Sequence, residues 1–271
     1  MSTVAAAHYD AKAQASSSEP HAEERTDLQR FHNEAKRVML KHFAFKAARL
    51  LDLACGRGGD IHKWRAMSVG YVKGVDVSAS SIDEARDRAA KSRAVARTEL
   101  DFAHVDVGEA WTDGTQYDVV TCFFALHYFF GSESAAHAFM ANVSGALRKG
   151  GTFMGITASG RHIVDCLKHG DVFDNGVVRL EAQWRGSPQC FGSGYTFAAR
   201  DTVTHASTVP EYLVFANVLT KVARMHGLTP LVVADKAFDA RGPLHTLQPP
   251  YDGPPAECSK MYAAFAFRKV G

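Results

Sequence analysis

From Arg49 to Thr157, short apolar runs alternate with stretches of helical character. Arg49–Ala54, Tyr71–Val77, Phe102–Val107, Tyr117–Phe124 and Thr152–Thr157 read as strands; Asp60–Met67, Ser78–Ala94 and Ser134–Leu147 read as helices. This alternation limits the fold more than any other feature. Strands joined through long crossovers run parallel, and a parallel sheet needs cover on both faces. The almost wholly apolar Tyr117–Phe124 fits a central strand buried on both sides. Ahead of the alternation, residues 27–44 carry Leu28, Phe31, Ala35, Val38 and Met39 at helical spacing. Behind it, Glu211–His226 reads as a helix, and Leu228–Ala234 and Lys260–Lys269 as strands, which makes seven.

Two regions break the pattern. Residues 170–208 have no clear period but are too many for a structureless loop, which predicts an inserted β-hairpin or lid. Gly242–Pro255 holds five of the nine prolines and reads as a loop. Residues 1–25, rich in Ala, Ser, Glu and Gln, read as a mobile tail ahead of a single domain over 26–271.

With 31 Lys and Arg against 29 Asp and Glu, the formal charge is +2. A wholesale nucleic-acid coat is thereby excluded, though a local basic groove is not. Arg30, Lys36, Arg37, Lys41 and Lys46 on or near the first helix are candidates for such contacts, or else form a solvated face. The five cysteines are odd in number and lack CxxC spacing, so neither a disulfide framework nor a metal site is expected. No apolar run approaches the roughly 18–20 residues that span a bilayer, and the first 25 residues do not read as a secretory signal.

The segment Asp52-Leu-Ala-Cys-Gly56-Arg-Gly58-Gly59-Asp60 leaves the first strand and enters a helix. Glycines let backbone turn sharply and approach a ligand with no Cβ in the way, at the strand ends where doubly wound sheets bind ligands. Asp76 ends the second strand, 20 residues after Gly56, where an acid can accept from both ribose hydroxyls. Asp106 ends the third, where a carboxylate can accept from an adenine amino group. Together they describe an adenosine pocket. The turn is not GxGxxG and no Walker lysine follows, so S-adenosylmethionine fits better than a dinucleotide.

These stretches resemble the messenger RNA cap guanine-N7 methyltransferases. Besides the glycine turn with Lys63-Trp64 and GVDVSASSI at 74–82, the likeness lies in FHNEAKRVML at 31–40, FALHY at 124–128, Asn142-Val-Ser144 and VPEYL at 209–213. FALHY at the end of strand four and PEYL some 85 residues later are the most telling. The tail element His8-Tyr9-Asp10 also resembles a family segment, and the likeness runs over about residues 8–269. Three departures stand out: Ala54 where the family often has Gly, Arg57 for a Lys, and Phe123 where a Gln is common.

The resemblance implies a Rossmann-like class I methyltransferase of S-adenosylmethionine: a seven-stranded, mostly parallel sheet with helices on both faces, and 170–208 as a lid on the cap side. It implies that Lys36 neutralises the cofactor's carboxylate, that Asp52, the Gly56 turn and Phe124 line its methionine part, and that Asp76 and Asp106 hold ribose and adenine. His127, Tyr128, Glu211 and Tyr262 would form the guanine pocket, and S-adenosylhomocysteine would be the product. The substrate would be RNA with a GpppN end, with an activator or capping-enzyme subunit as a further partner. The location would be the nucleus, or the cytoplasm for a viral protein.

Guanine N7 carries a lone pair and no proton, so methyl transfer to it requires no general base. Each residue also has a plainer reading. Glu211 could be a first-turn helix acid favoured by the helix dipole. Tyr262 could simply be packed, and His127 could be a satisfied structural histidine. A small-molecule methyltransferase shares every feature up to Asp106. A non-catalytic subunit that only binds RNA is the alternative of another class.

Overall fold

The computed structural model describes residues 27–92, 98–199, 211–231, 234–235, 238–239 and 258–271. The tail over 1–25, His8-Tyr9-Asp10 and the loop Gly242–Pro255 lie outside the described residues.

Helix α1 (Asp27–Phe43) leads into β1 (Arg49–Leu53), α2 (Ile61–Ala66), β2 (Tyr71–Asp76), α3 (Ala79–Lys91) and β3 (Glu99–His104). Then come β4 (Tyr117–Phe123), a 3-10 turn (Leu126–Phe130), α4 (Glu133–Ala146), β5 (Leu147–Ala158) and α5 (Gly160–Cys166). Four short strands follow: β6 (Val172–Asp174), β7 (Val178–Ala182), β8 (Gly194–Ala199) and β9 (Glu211–Tyr212). Helix α6 (Ala216–Met225), β10 (Leu228–Pro230), the pair β11 (Ala234–Asp235) and β12 (Phe238–Asp239), and β13 (Tyr262–Lys269) complete the chain.

The main sheet has seven strands in the order β3-β2-β1-β4-β5-β13-β10. The first five are parallel neighbours, and β13 runs antiparallel to both β5 and β10. The order reverses beside β1, between β2 and β4, which opens a crevice at the strands' carboxyl ends. Side chains alternate between two cores. Met154, Ile156 and Ala158 of β5 face α1, α2 and α3, while Phe153 faces the Phe139–Met140 side of α4 together with Phe265 and Phe267. Helix α1 sits on the sheet through fully buried Met39 and Leu40 and nearly buried Phe31. Serine hydroxyls start the site-side helices: Ser78 accepts from Ser81 N, Ser132 from Ala135 N and Ser159 from His162 N.

The expected α/β architecture is therefore present, with three corrections. The predicted insert is a four-stranded antiparallel sheet, β6-β7-β8-β9, rather than one hairpin. Lys149-Gly150-Gly151, which by sequence reads as a turn into the strand expected over Thr152–Thr157, is instead a bulge within β5, since the register shifts where Tyr117 pairs Leu147 and Val119 pairs Thr152. The segment from Glu211 does not begin as a helix. Glu211 and Tyr212 extend along β8, and α6 starts only at Ala216. The apolar spacing of PEYLVF mimics a helix, but its residues serve two elements.

Candidate active site

The glycine turn takes its shape from backbone that leaves the allowed regions for ordinary side chains. Ala54, Gly56 and Gly58 have φ of 58°, 53° and 69°. An alanine in that region costs roughly 1–2 kcal/mol, which gives a physical reason for glycine at position 54 in other chains. A Cβ on Gly58 would strike Ile61 Cδ1 at 2.8 Å. A Cβ on Gly56 would meet nothing within 4 Å. That side of the turn is open and could receive a ligand.

Asp76 ties this turn to the end of β2. Its Oδ2 accepts from Gly56 N at 2.8 Å and its Oδ1 from Ser78 N at 2.9 Å. Asp106 lies two residues beyond β3, half-buried, with Oδ1 accepting from Gly108 N at 2.8 Å.

Beneath the turn lies a charge cluster of which the sequence showed only parts. Asp60 is buried between two ammonium groups, Lys36 at 2.8 Å and Lys63 at 2.7 Å. Burial acts to raise its pKa, but the two cations outweigh burial and hold it below its ordinary value. Asp52 has no such partner. It accepts from the Thr121 hydroxyl, while burial, and then the nearby Asp60 charge, push it up to about 7. A cationic group entering over the turn would find here a carboxyl ready to ionise beside it.

The Asp52 shift has a consequence for stability. A buried acid raised to about 7 binds more protons folded than unfolded between about pH 4 and 7, so the protein loses stability as pH rises through that window. Asp52→Asn removes this loss. Its melting temperature relative to the parent is expected to increase steadily from pH 4 to pH 7 and then level off. A margin that shrinks with rising pH in paired thermal melts would contradict the assignment.

At the end of β4, Phe124 has φ of 60° and donates its N–H to Ile156 O at 2.7 Å. This bend sends the chain into the 3-10 turn and leaves the ring beside two others. His32 lies 4.6 Å from it and Tyr262 meets it edge-on at 5.1 Å, with Lys36 over the same ring at 5.6 Å. Phe123 receives the Lys36 ammonium at 5.2 Å from its ring centre. Burial, and then the Lys36 charge, lower His32 to about 3, so its imidazole is neutral.

The 3-10 turn carries His127 and Tyr128, with rings 4.3 Å apart. His127 is 2% exposed, and neither of its ring nitrogens has a hydrogen-bond partner. The nearest acid, Glu211, is 3.7 Å from Nε2, beyond hydrogen-bond reach. Burial lowers the histidine's pKa and the Glu211 charge opposes it only in part. It is thus a neutral imidazole with unfilled donor and acceptor capacity. Glu211 itself is 8% exposed and accepts from the Tyr195 hydroxyl at 2.8 Å.

The structure so brings the sequence-derived residues into two neighbouring groups on one edge of the sheet. Lys36, Asp52, Gly56 and Asp76 surround the glycine turn, with Asp106 beyond β3; His127, Tyr128 and Glu211 lie across Phe124, where Tyr262 meets that ring. Glu211 stands on a strand ahead of α6, so the helix dipole does not account for it. Sequence reading missed His32, Thr121 and Tyr195. His32 stands four residues before Lys36, one helical turn away on the same face, and this spacing was the available signal. Tyr195 had none, because its strand pairs residues far apart in the chain. Among the described residues, no group of three or more His, Cys, Asp or Glu is placed to hold a metal ion.

The family model of the mRNA (guanine-N(7))-methyltransferase domain matches residues 1–240. The chain belongs to this family. The mRNA cap guanine-N(7) methyltransferase of Schizosaccharomyces pombe is 30% identical over 276 residues, covering 90% of this chain and 76% of that protein. The one from Cryptococcus neoformans is 28% identical over 297 residues, covering 99% of this chain but only 42% of its own length. The chain thus spans less than half of that relative. In fold, the CcbJ methyltransferase of Streptomyces caelestis superposes with a TM-score of 0.60 at 16% identity, over 97% of this chain and 98% of that one. The sheet is accordingly that of the Rossmann-like S-adenosylmethionine-dependent methyltransferases.

Proposed function

We propose that the protein transfers a methyl group from S-adenosylmethionine to N7 of the terminal guanosine of a GpppN RNA cap. The observation that carries this reading is the pairing of two unlike sites across Phe124: an acid-lined glycine turn on one side, and on the other a buried acid with an unpartnered histidine. The open side of Gly56 and the position of the Asp76 carboxylate at the end of β2, beside that turn, fit an adenosine with its ribose hydroxyls.

In this reading, the cofactor when bound supplies an electrophilic methyl on a sulfonium. The chain's own residues do the rest. Asp76 accepts from the ribose hydroxyls and Asp106 from the adenine amine. Lys36 and Asp52 face the methionine carboxylate and ammonium, with Phe124 forming the wall beside them. Glu211 accepts from N1–H and the exocyclic amine of guanine, a donor pair that adenine lacks. His127 can donate to O6 from its unfilled ring nitrogen. Tyr128 and Tyr262 offer aromatic faces to a ring whose positive charge grows during transfer.

No group needs to remove a proton, because N7 has none. Catalysis is then alignment of nitrogen, methyl carbon and sulfur, and orientation of this kind can supply on the order of 7–11 kcal/mol. The β6–β9 sheet would act as the cap-side lid, residues 26–271 as one catalytic domain, and the nucleus as the place of action. Partner subunits would extend RNA binding.

The test is mass spectrometry of a GpppG-capped oligonucleotide after incubation with S-adenosylmethionine, alongside a panel of small acceptors. One added methyl on the cap guanosine is expected. Methylation of a small acceptor in preference to the cap would overturn the reading.

A further inference from the structure

Glu211 is held from the inserted sheet. Tyr195 lies directly opposite it in the β8–β9 ladder, and opposed residues of an antiparallel pair emerge on the same face. The Tyr195 side chain is fully buried, and its hydroxyl donates to Glu211 Oε2 at 2.8 Å. Phe197, two residues along and so on the same face of β8, approaches Tyr262 with ring centres 6.0 Å apart. One face of a single strand therefore touches both the acid and an aromatic ring of the guanine side.

A phenol buried here for packing alone would be replaced at lower cost by Phe, since a buried hydroxyl must find a partner. Its partner is the one carboxylate that could read a base. The bond anchors Oε2 and with it the plane of the carboxyl group. Oε1 and the second lone pair of Oε2 stay available for two donors side by side.

We propose that Tyr195 is a specificity-determining positioning residue, whose hydroxyl fixes the plane of the Glu211 carboxylate so that a purine edge with two donors is selected over one with a single donor. This rests on the reading of Glu211 as the guanine acceptor. Burial, and then the Glu211 charge, hold the Tyr195 phenol well above its ordinary value, so it stays a donor throughout the working range of pH. The other groups that face this pair are His127 on the 3-10 turn, Tyr128 beside it and Tyr262 on β13.

Tyr195→Phe removes one oxygen and keeps the ring. With S-adenosylmethionine as donor, its kcat/KM ratio for guanosine-capped over inosine-capped dinucleotide is expected to fall roughly tenfold or more, because inosine lacks the exocyclic amine. Calorimetric binding of S-adenosylhomocysteine should be unchanged, which also reports correct folding. In a Glu211→Gln background, Tyr195→Phe should cause no further loss of selectivity.

A Tyr195→Phe enzyme with parental selectivity would overturn the inference while leaving the Glu211 reading intact, as would a full additive loss in the double variant. If Glu211→Gln itself leaves the guanosine-to-inosine ratio unchanged, the Glu211 reading falls and this inference with it. A parent chain that leaves guanosine caps unmethylated would refute the proposed function as well.

Discussion

Asp76→Ala is expected to abolish cap methylation by removing cofactor affinity. Two hydrogen bonds from ribose hydroxyls to a carboxylate are worth roughly 1.5–3 kcal/mol each, so the Kd for S-adenosylhomocysteine should rise by more than about a hundredfold. The loss has a second source. The same carboxylate holds Gly56 N and Ser78 N, so the turn that would carry the methionine part loses its anchor to β2. Calorimetry on the variant decides the matter, and parental affinity would refute the ribose assignment. A thermal melt run in parallel separates this effect from global unfolding.

Glu211→Gln should leave that affinity untouched and strike the other substrate. The amide keeps one acceptor but turns a donor toward an edge that already presents donors. A site built to hydrogen-bond a ligand discriminates strongly when the match is lost, and kcat/KM on guanosine caps should fall by about two to three orders of magnitude. The amide oxygen can still accept from Tyr195, so the fold of β8 and β9 is preserved. If cofactor affinity collapsed instead, Glu211 would be a structural residue.

The contrast between these two acids also explains what could be read from the chain alone. Asp76 was legible because local sequence sets its place: an apolar strand fixes where it ends, and the glycine turn 20 residues earlier fixes what it faces. The parallel sheet was legible for the same reason, through apolar runs whose lengths and crossovers allow few arrangements. Glu211 owes its position to pairing with a strand 16 residues away in sequence, over only two residues. Such a strand leaves no period to detect, and PEYLVF was therefore read as the start of a helix. The insert was recognised as structured because of its length, but its four strands and the role of Tyr195 depend on register, which turns set and composition does not. The charge cluster was half visible. Lys36, Asp52, Asp60 and Lys63 all lie in quoted motifs, yet that Asp60 takes both lysines follows only from the packed geometry, and that Asp52 is pushed up to about 7 follows from burial and then from the Asp60 charge beside it.

One residue among the departures from the family pattern illustrates the same limit. Phe123 replaces a polar residue, and in the structure its ring lies under the Lys36 ammonium. An aromatic face there favours the cation, so Phe123 adds a contact to the lysine that pairs with Asp60.

The claim on which everything else depends is that two adjoining sites hold a donor and a purine with sulfur, methyl and nitrogen in line. A crystal structure of the chain with S-adenosylhomocysteine and GpppG tests it directly. The adenosine should lie over Gly56 with its ribose on Asp76, and the guanine should meet Glu211 with N7 turned to the sulfur. A guanine bound away from Glu211, or bound there with N7 facing away from the sulfur, would contradict it.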